Sequence, residues 1–185
     1  MRALRTLICL GLAVFCPFAG SRVVQAQPSD STAAKPDPWG PWQFLVGNWV
    51  GGGEGAPGQG MGAFDFTPDL QNKILVRHSH ADYPASAGRP ATVHDDLLIV
   101  YAPTDSGTAR AIYFDNEGHT INYTAGFSAD AKKLSFVSDP APGPRFRLTY
   151  EKTAADTLGI SFDIAPPKNP DSFSTYVAGK AWRKR

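Results

Sequence analysis

The sequence predicts an all-β protein, a roughly ten-stranded antiparallel up-and-down β-barrel with a short N-terminal helical turn. From residue 48 onward, apolar and polar side chains alternate along short segments, which is typical of strands with one buried face. Turn-forming residues separate these segments, and the connections are short enough for a meander. A meander of this length has to curl, and closure into a barrel removes its exposed edges. A two-sheet sandwich with the same alternation is the alternative architecture.

Ten segments carry the alternation. They span residues 48–54, 61–67, 73–82, 95–101, 108–114, 119–127, 133–138, 145–152, 157–165 and 172–182. The clearest turn is Asp115-Asn-Glu-Gly118, where Gly118 suits the left-handed backbone position before the next strand. Before the first strand, Pro41 suits the first position of a helix and Gly47 can end one, so one helical turn is expected over 41–46.

Residues 1–26 have the features of a secretory signal peptide. Two arginines form a basic start, residues 7–18 form an apolar stretch, and Val24-Gln-Ala26 is a small-x-small cleavage site. The apolar stretch contains Pro17 and is too short to span a bilayer, so no stable membrane anchor is expected after cleavage. The expected location is therefore periplasmic or secreted.

The rest of the chain is expected to form a flexible leader and one domain. Residues 27–40 are rich in proline and polar residues without apolar periodicity, and the barrel domain is expected over 41–185. Cys9 and Cys16 both precede the cleavage site, so the mature chain has no disulfide, catalytic thiol or cysteine-ligated metal. Cleavage reduces the 18 basic residues to 15, against 17 acidic ones, and leaves no basic block for nucleic acid.

Gly47-Asn-Trp49 follows a short apolar turn and precedes the strands, and this arrangement resembles the calycin superfamily. That group includes lipocalins, fatty-acid-binding proteins and nitrobindin-like haem-binding barrels. In lipocalins, the tryptophan of Gly-x-Trp closes one end of the barrel, and a basic residue of the last strand lies across it. The resemblance implies that Trp49 is such a structural plug and that Arg183 covers it, since a guanidinium over an indole gains cation–π energy.

The longer stretch Leu45-Val-Gly-Asn-Trp-Val-Gly-Gly-Gly-Glu-Gly55 also looks like the start of nitrobindin-like domains. The resemblance implies haem as a candidate cofactor, held by a histidine near the C-terminal strand. This chain has no histidine after His119, so a haem site would need a changed iron ligand. No cofactor is otherwise expected.

The alternation also predicts which side chains share a face of the segment 73–82. Arg77 and Ser79 share one face, and an inward Arg77 could receive a ligand's carboxylate, whereas an outward one would form an exterior salt bridge. His78 and His80 share the opposite face, where they could line a pocket or lie in solvent. No third ligand follows at a fixed spacing, so no metal site is predicted.

Two later segments add aromatic and polar candidates. Arg110 and Phe114 share a face with Tyr113 on the other, while His119 and Tyr123 share a face across the hairpin. Aromatic walls with a few polar tips are typical of a small-molecule pocket and also of an ordinary barrel core. The predicted ligand-binding residues are Arg77, His78, His80, Arg110, Tyr113, His119 and Tyr123.

The sequence favours an exported barrel that binds a small apolar or amphipathic molecule without catalytic chemistry. No phosphate loop, nucleophile elbow or His-Glu-x-x-His motif is present, and no residue is assigned as catalytic. The alternatives are a haem barrel with a changed ligand, a barrel filled by its own side chains, and an isomerase or hydrolase using His78, His80 or His94. The enzyme alternative requires two of these histidines in one cavity beside a carboxylate or arginine. For His94 the better-placed carboxylate is Asp96, two residues on.

Overall fold

A computed structural model describes residues 37, 39–102 and 107–185, so the predicted signal peptide and most of the leader lie outside the described residues. A 3₁₀ turn over Gly40–Trp42 precedes ten antiparallel strands. The strands are β1 (Gly47–Gly55), β2 (Gly60–Asp69), β3 (Ile74–Tyr83), β4 (Thr92–Tyr101), β5 (Arg110–Asp115), β6 (Thr120–Phe127), β7 (Lys133–Ser138), β8 (Arg145–Ala154), β9 (Thr157–Ala165) and β10 (Ser174–Arg183). Each strand pairs with the next, and β1 also pairs with β10, which closes the barrel.

The predicted fold class is confirmed, because the continuous ring of pairings leaves no room for a two-sheet sandwich. The predicted strand limits hold to within three residues, and the largest difference is that β4 begins at Thr92. Gly118 has the left-handed backbone expected at the hairpin, with a φ of 89°. No helix in the described part of the chain has the length and apolar character needed to cross a membrane.

The core lies inside the barrel because alternate side chains of every strand point inward. On β8, for example, Leu148 and Tyr150 are buried, whereas Glu151 is exposed. Aromatic side chains fill most of the closed half of the interior, where their rings meet mainly edge to face. The largest fully buried side chains are Trp49, Tyr123, Tyr150, Phe66 and Phe136.

Trp49 and Arg183 lie together at the closed end. Trp49 is 1% exposed, and its indole N–H donates to the Leu45 carbonyl over 2.8 Å. The Arg183 guanidinium carbon is 4.3 Å from the centre of the indole, and its Nη1 donates to the Val46 carbonyl over 2.7 Å. One arginine therefore joins the last strand to the first strand and to the turn that precedes it.

The seam between β1 and β10 brings two backbones very close together. A Cβ added to Gly51 would lie 2.2 Å from the Lys180 carbonyl oxygen, and one added to Gly179 would lie 2.5 Å from the Gly52 oxygen. A real Cβ does not come within 3.0 Å of another heavy atom. The pairing that closes the barrel therefore requires glycine at both positions.

We expect Gly51→Ala to destabilise the protein by about 2 kcal/mol or more, since the methyl group would meet backbone that cannot rotate away. The matched control is Gly126→Ala on β6, where an added Cβ meets nothing within 4 Å and should change stability little or increase it slightly. Urea unfolding of both variants gives the comparison. Equal stabilities would contradict the role of Gly51 in the seam.

We expect Arg183→Lys to lower the free energy of unfolding by about 1–2 kcal/mol, because an ammonium lacks the planar contact with Trp49 and one of the two carbonyl bonds. Arg185→Lys, at an exposed position two residues on, is the control and should unfold like the original protein. The measurement is the urea concentration at the unfolding midpoint of each variant. If the midpoints of the two variants are the same, Arg183 does not stabilise the closed end.

Candidate functional site

A cavity of about 160 Å³ lies inside the open half of the barrel. Its wall on the β1–β10 side contains several glycines, among them Gly51, Gly53 and Gly179. An apolar cavity of roughly 150 Å³ is known to accommodate benzene, so this space has the size of a single ring. The side chains that line it inside the barrel include Phe64, Ser79, Ala81, Ile160, Phe162 and Val177.

A buried ion pair lies beside this cavity. In the β3–β4 register, Asp96 lies opposite Ser79 and both point inward. One oxygen of Asp96 accepts a hydrogen bond from Arg77, whose other Nη donates to the Tyr150 hydroxyl. The side chains of Arg77 and Asp96 are each 6% exposed. Burial disfavours the guanidinium charge, but Asp96 and Tyr150 more than offset this, so the pKa of Arg77 is raised.

His94 continues the polar residues toward the open end. It lies opposite Ala81, which lines the cavity. Its Nε2 is 2.9 Å from the Tyr113 hydroxyl and 3.7 Å from the second oxygen of Asp96, and its Nδ1 is 3.1 Å from Glu117. Both ring nitrogens therefore have partners. Burial, and then the negative charge of Asp96, raise the pKa of Tyr113, which keeps its hydroxyl protonated.

Asp115 joins this group to the hairpin between β5 and β6. It accepts the backbone N–H groups of Glu117 and His119 over 3.0 and 2.8 Å, and it lies 2.8 Å from the His119 ring. The Tyr113 hydroxyl donates to the same carboxylate over 3.3 Å. Burial opposes the charge of Asp115, but its hydrogen bonds outweigh that effect, so its pKa is lowered.

A second, larger depression of about 590 Å³ lies on the outer wall of β2–β5. His78 and His80 line it together with Asp95 and Phe114. Asp95 and Asp82 lie 2.6 and 3.2 Å from the two nitrogens of His80, and these hydrogen bonds raise its pKa. Within the described residues, no group of three or more histidine, cysteine or acidic side chains could hold a metal ion.

The structure divides the predicted ligand-binding residues between the two faces of the barrel wall. Arg77, Tyr113 and Tyr123 point inward, and His119 lies at the open end bonded to Asp115. His78, His80 and Arg110 have outward side chains, so these three side chains do not point into the interior with Arg77, and their part in ligand binding stays a prediction. Arg110 instead binds Asp139 and Thr124 on the outer face.

The partners that neutralise Arg77 are not evident from the sequence alone. Asp96 alternates with Leu98 and Val100, which are completely buried, and this spacing placed a carboxylate on an apolar face. A buried acid requires a buried partner, so this spacing was the signal in the sequence that Asp96 pairs with a basic side chain inside the barrel. Tyr150 gave no comparable signal, because it shares its face with ordinary core residues.

Comparison with known proteins supports the architecture. No family model and no curated protein matches the sequence. Among solved structures, the S-type phycobiliprotein lyase of Guillardia theta aligns over 78% of this chain and 90% of its own, with 9% identity and a TM-score of 0.50. The fold is calycin-like.

Two further structures are less similar. A de novo designed fluorescence-activating β-barrel aligns over 77% of this chain and 95% of its own, with 10% identity and a TM-score of 0.40. A protein of unknown function from the DUF3598 family of Nostoc punctiforme aligns over 81% of this chain and 100% of its own, with 8% identity and a TM-score of 0.30.

The interior does not fit a haem. A cavity of about 160 Å³ holds one ring, whereas a porphyrin has four pyrrole rings. His94 is the inward histidine nearest to the cavity, and both of its nitrogens already have partners. The residues present therefore do not form the pocket that nitrobindin-like domains would imply.

We expect Asp96→Asn to destabilise the protein by about 3–5 kcal/mol, since Arg77 would stay buried without a counter-charge. The double variant Arg77→Met, Asp96→Leu removes both charges and should lose less stability than the single variant. Unfolding in urea at pH 7 measures both. If the double variant is less stable than Asp96→Asn, the instability of Asp96→Asn does not come from an uncompensated charge on Arg77.

Proposed function

We propose that this protein is an exported barrel that binds one small, largely apolar molecule through its open end and performs no covalent chemistry on it. The observation that supports this most directly is the ring-sized cavity, because a barrel packed only for stability would fill that space. Phe64, Ile160, Phe162 and Val177 offer the ligand an apolar surface, and the glycines let its ring approach the barrel wall closely.

Export rests on the N-terminal sequence and on the cysteine count. The basic start, apolar stretch and cleavage site form a secretory signal, and the chain that would remain has no thiol to oxidise. Cell fractionation of the full chain, with mass measurement of the released species, tests this. A chain that keeps its first 26 residues would contradict the proposal.

The enzyme alternative has little support from the arrangement of its candidate residues. His78 and His80 lie with Asp95 in the depression on the outer wall, whereas His94 lies inside the barrel, so no two of these histidines meet beside the interior cavity. Tyr113, which contacts His94, has a raised pKa and is a poor nucleophile at neutral pH. A barrel filled by its own side chains is disfavoured for a different reason, which is the open cavity.

We expect Val177→Phe to abolish binding of small aromatic probes, because the larger side chain occupies the cavity. Calorimetric titration with toluene and with benzene, before and after the change, measures this. Val93→Phe is the control: Val93 is an exposed strand residue on the outer wall, so binding should be unaffected. If the original protein binds neither probe, the binding function is wrong.

A further inference from the structure

Ser79 lines the cavity and Asp96 lies directly across from it on β4, and each has a polar atom without a hydrogen-bond partner among the described residues. Within the described part of the chain, the Ser79 hydroxyl has no hydrogen-bond partner. No described residue forms a hydrogen bond with the second oxygen of Asp96, and His94 Nε2 lies 3.7 Å from it, which exceeds hydrogen-bonding distance. Ser79 and Asp96 lie directly opposite each other on β3 and β4, where inward side chains are about 5 Å apart. One small polar group on a ligand could reach both atoms.

The charges around these atoms disfavour an anion. Arg77 is already neutralised by Asp96, so it offers no uncompensated positive charge to a ligand, although its buried Nε has no hydrogen-bond partner among the described residues. Asp115 lies opposite Asp96 on β5 and adds a second carboxylate. A ligand carboxylate at Ser79 would therefore face Asp96 at short range and would have to displace it from Arg77. This differs from a barrel in which an unpaired arginine receives the anion.

A hydrogen-bond donor suits the same position. The free oxygen of Asp96 can accept a proton-bearing group, and hydrogen bonds to ionised acceptors are stronger than neutral ones. The Ser79 hydroxyl can donate to, or accept from, the same group. A hydroxyl both donates and accepts, so it can satisfy both side chains at once.

We propose that the cavity selects neutral single-ring molecules that carry a hydroxyl, and that it rejects the corresponding carboxylates. The ring occupies the space between Phe64, Ile160 and Phe162, and the hydroxyl bridges Ser79 and Asp96. This inference rests on the proposed binding function and adds to it the chemical class of the ligand and the two residues that determine specificity.

Calorimetric titration at pH 7 with toluene, benzyl alcohol and benzoate tests the proposal, since the three probes share one ring and differ in the polar group. We expect benzyl alcohol to bind roughly threefold to tenfold more tightly than toluene, and benzoate to bind far more weakly than either. Benzoate within threefold of benzyl alcohol would overturn the inference. If none of the three binds, it is the binding function itself that fails.

Two variants assign the selectivity to its residues. Ser79→Ala should weaken benzyl alcohol roughly threefold and leave toluene unchanged, whereas Ser161→Ala should change neither, because Ser161 lies between the inward residues Ile160 and Phe162 and so faces outward. Asp96→Asn should admit benzoate, because Arg77 is then free to bind it, and benzoate should raise the melting temperature of that variant. If Ser79→Ala weakens both neutral probes equally, Ser79 shapes the cavity and does not select the hydroxyl.

Discussion

Closure of the barrel depends on the contact between β1 and β10, where the two backbones come too close at two positions for a side chain. Gly51 and Gly179 make this approach possible. The same glycines form one wall of the interior cavity, because positions without side chains leave space on the inner face. The requirement for closure and the presence of the cavity therefore have one cause. The Trp49–Arg183 contact closes the end of the barrel that lies opposite the cavity, so the open space is limited to one half of the barrel.

The interior has two unlike sides. Strands β1, β2, β9 and β10 contribute glycines and apolar side chains to the cavity. Strands β3, β4 and β5 place a polar group in the interior beside it, made of Arg77, Asp96, His94 and Asp115. Nearly every charge on the polar side has a partner, so the group can stay buried without losing its fixed geometry. A molecule in the cavity would contact an apolar surface on one side and oriented hydrogen-bonding groups on the other. The cavity volume therefore limits the size of a bound molecule, and the two unlike sides determine its orientation.

The strands of the barrel could be predicted from the local sequence pattern, whereas the side chains that form the site could not. Alternation and turn residues located all ten strands, since both signals lie within a few neighbouring residues. Alternation also showed that Arg77 and His78 lie on opposite faces, but it does not say which face is inward. That choice depends on pairings across the barrel, such as Arg77 with Tyr150, which is 73 residues away. Asp96 completes the ion pair through the register of β3 and β4, which a single strand's pattern does not contain.

The pairing of β1 with β10 has a consequence for how the chain folds. These strands lie near opposite ends of the described chain, so the barrel has high contact order and its last ladder forms only after almost every residue is available. Until then the edges of β1 and β10 are unpaired, and unpaired edges are where chains associate wrongly. Glycine-rich β1 disfavours such association between chains, because it presents few apolar side chains to another molecule. The residues that let the barrel close thus also protect the chain while it is still open.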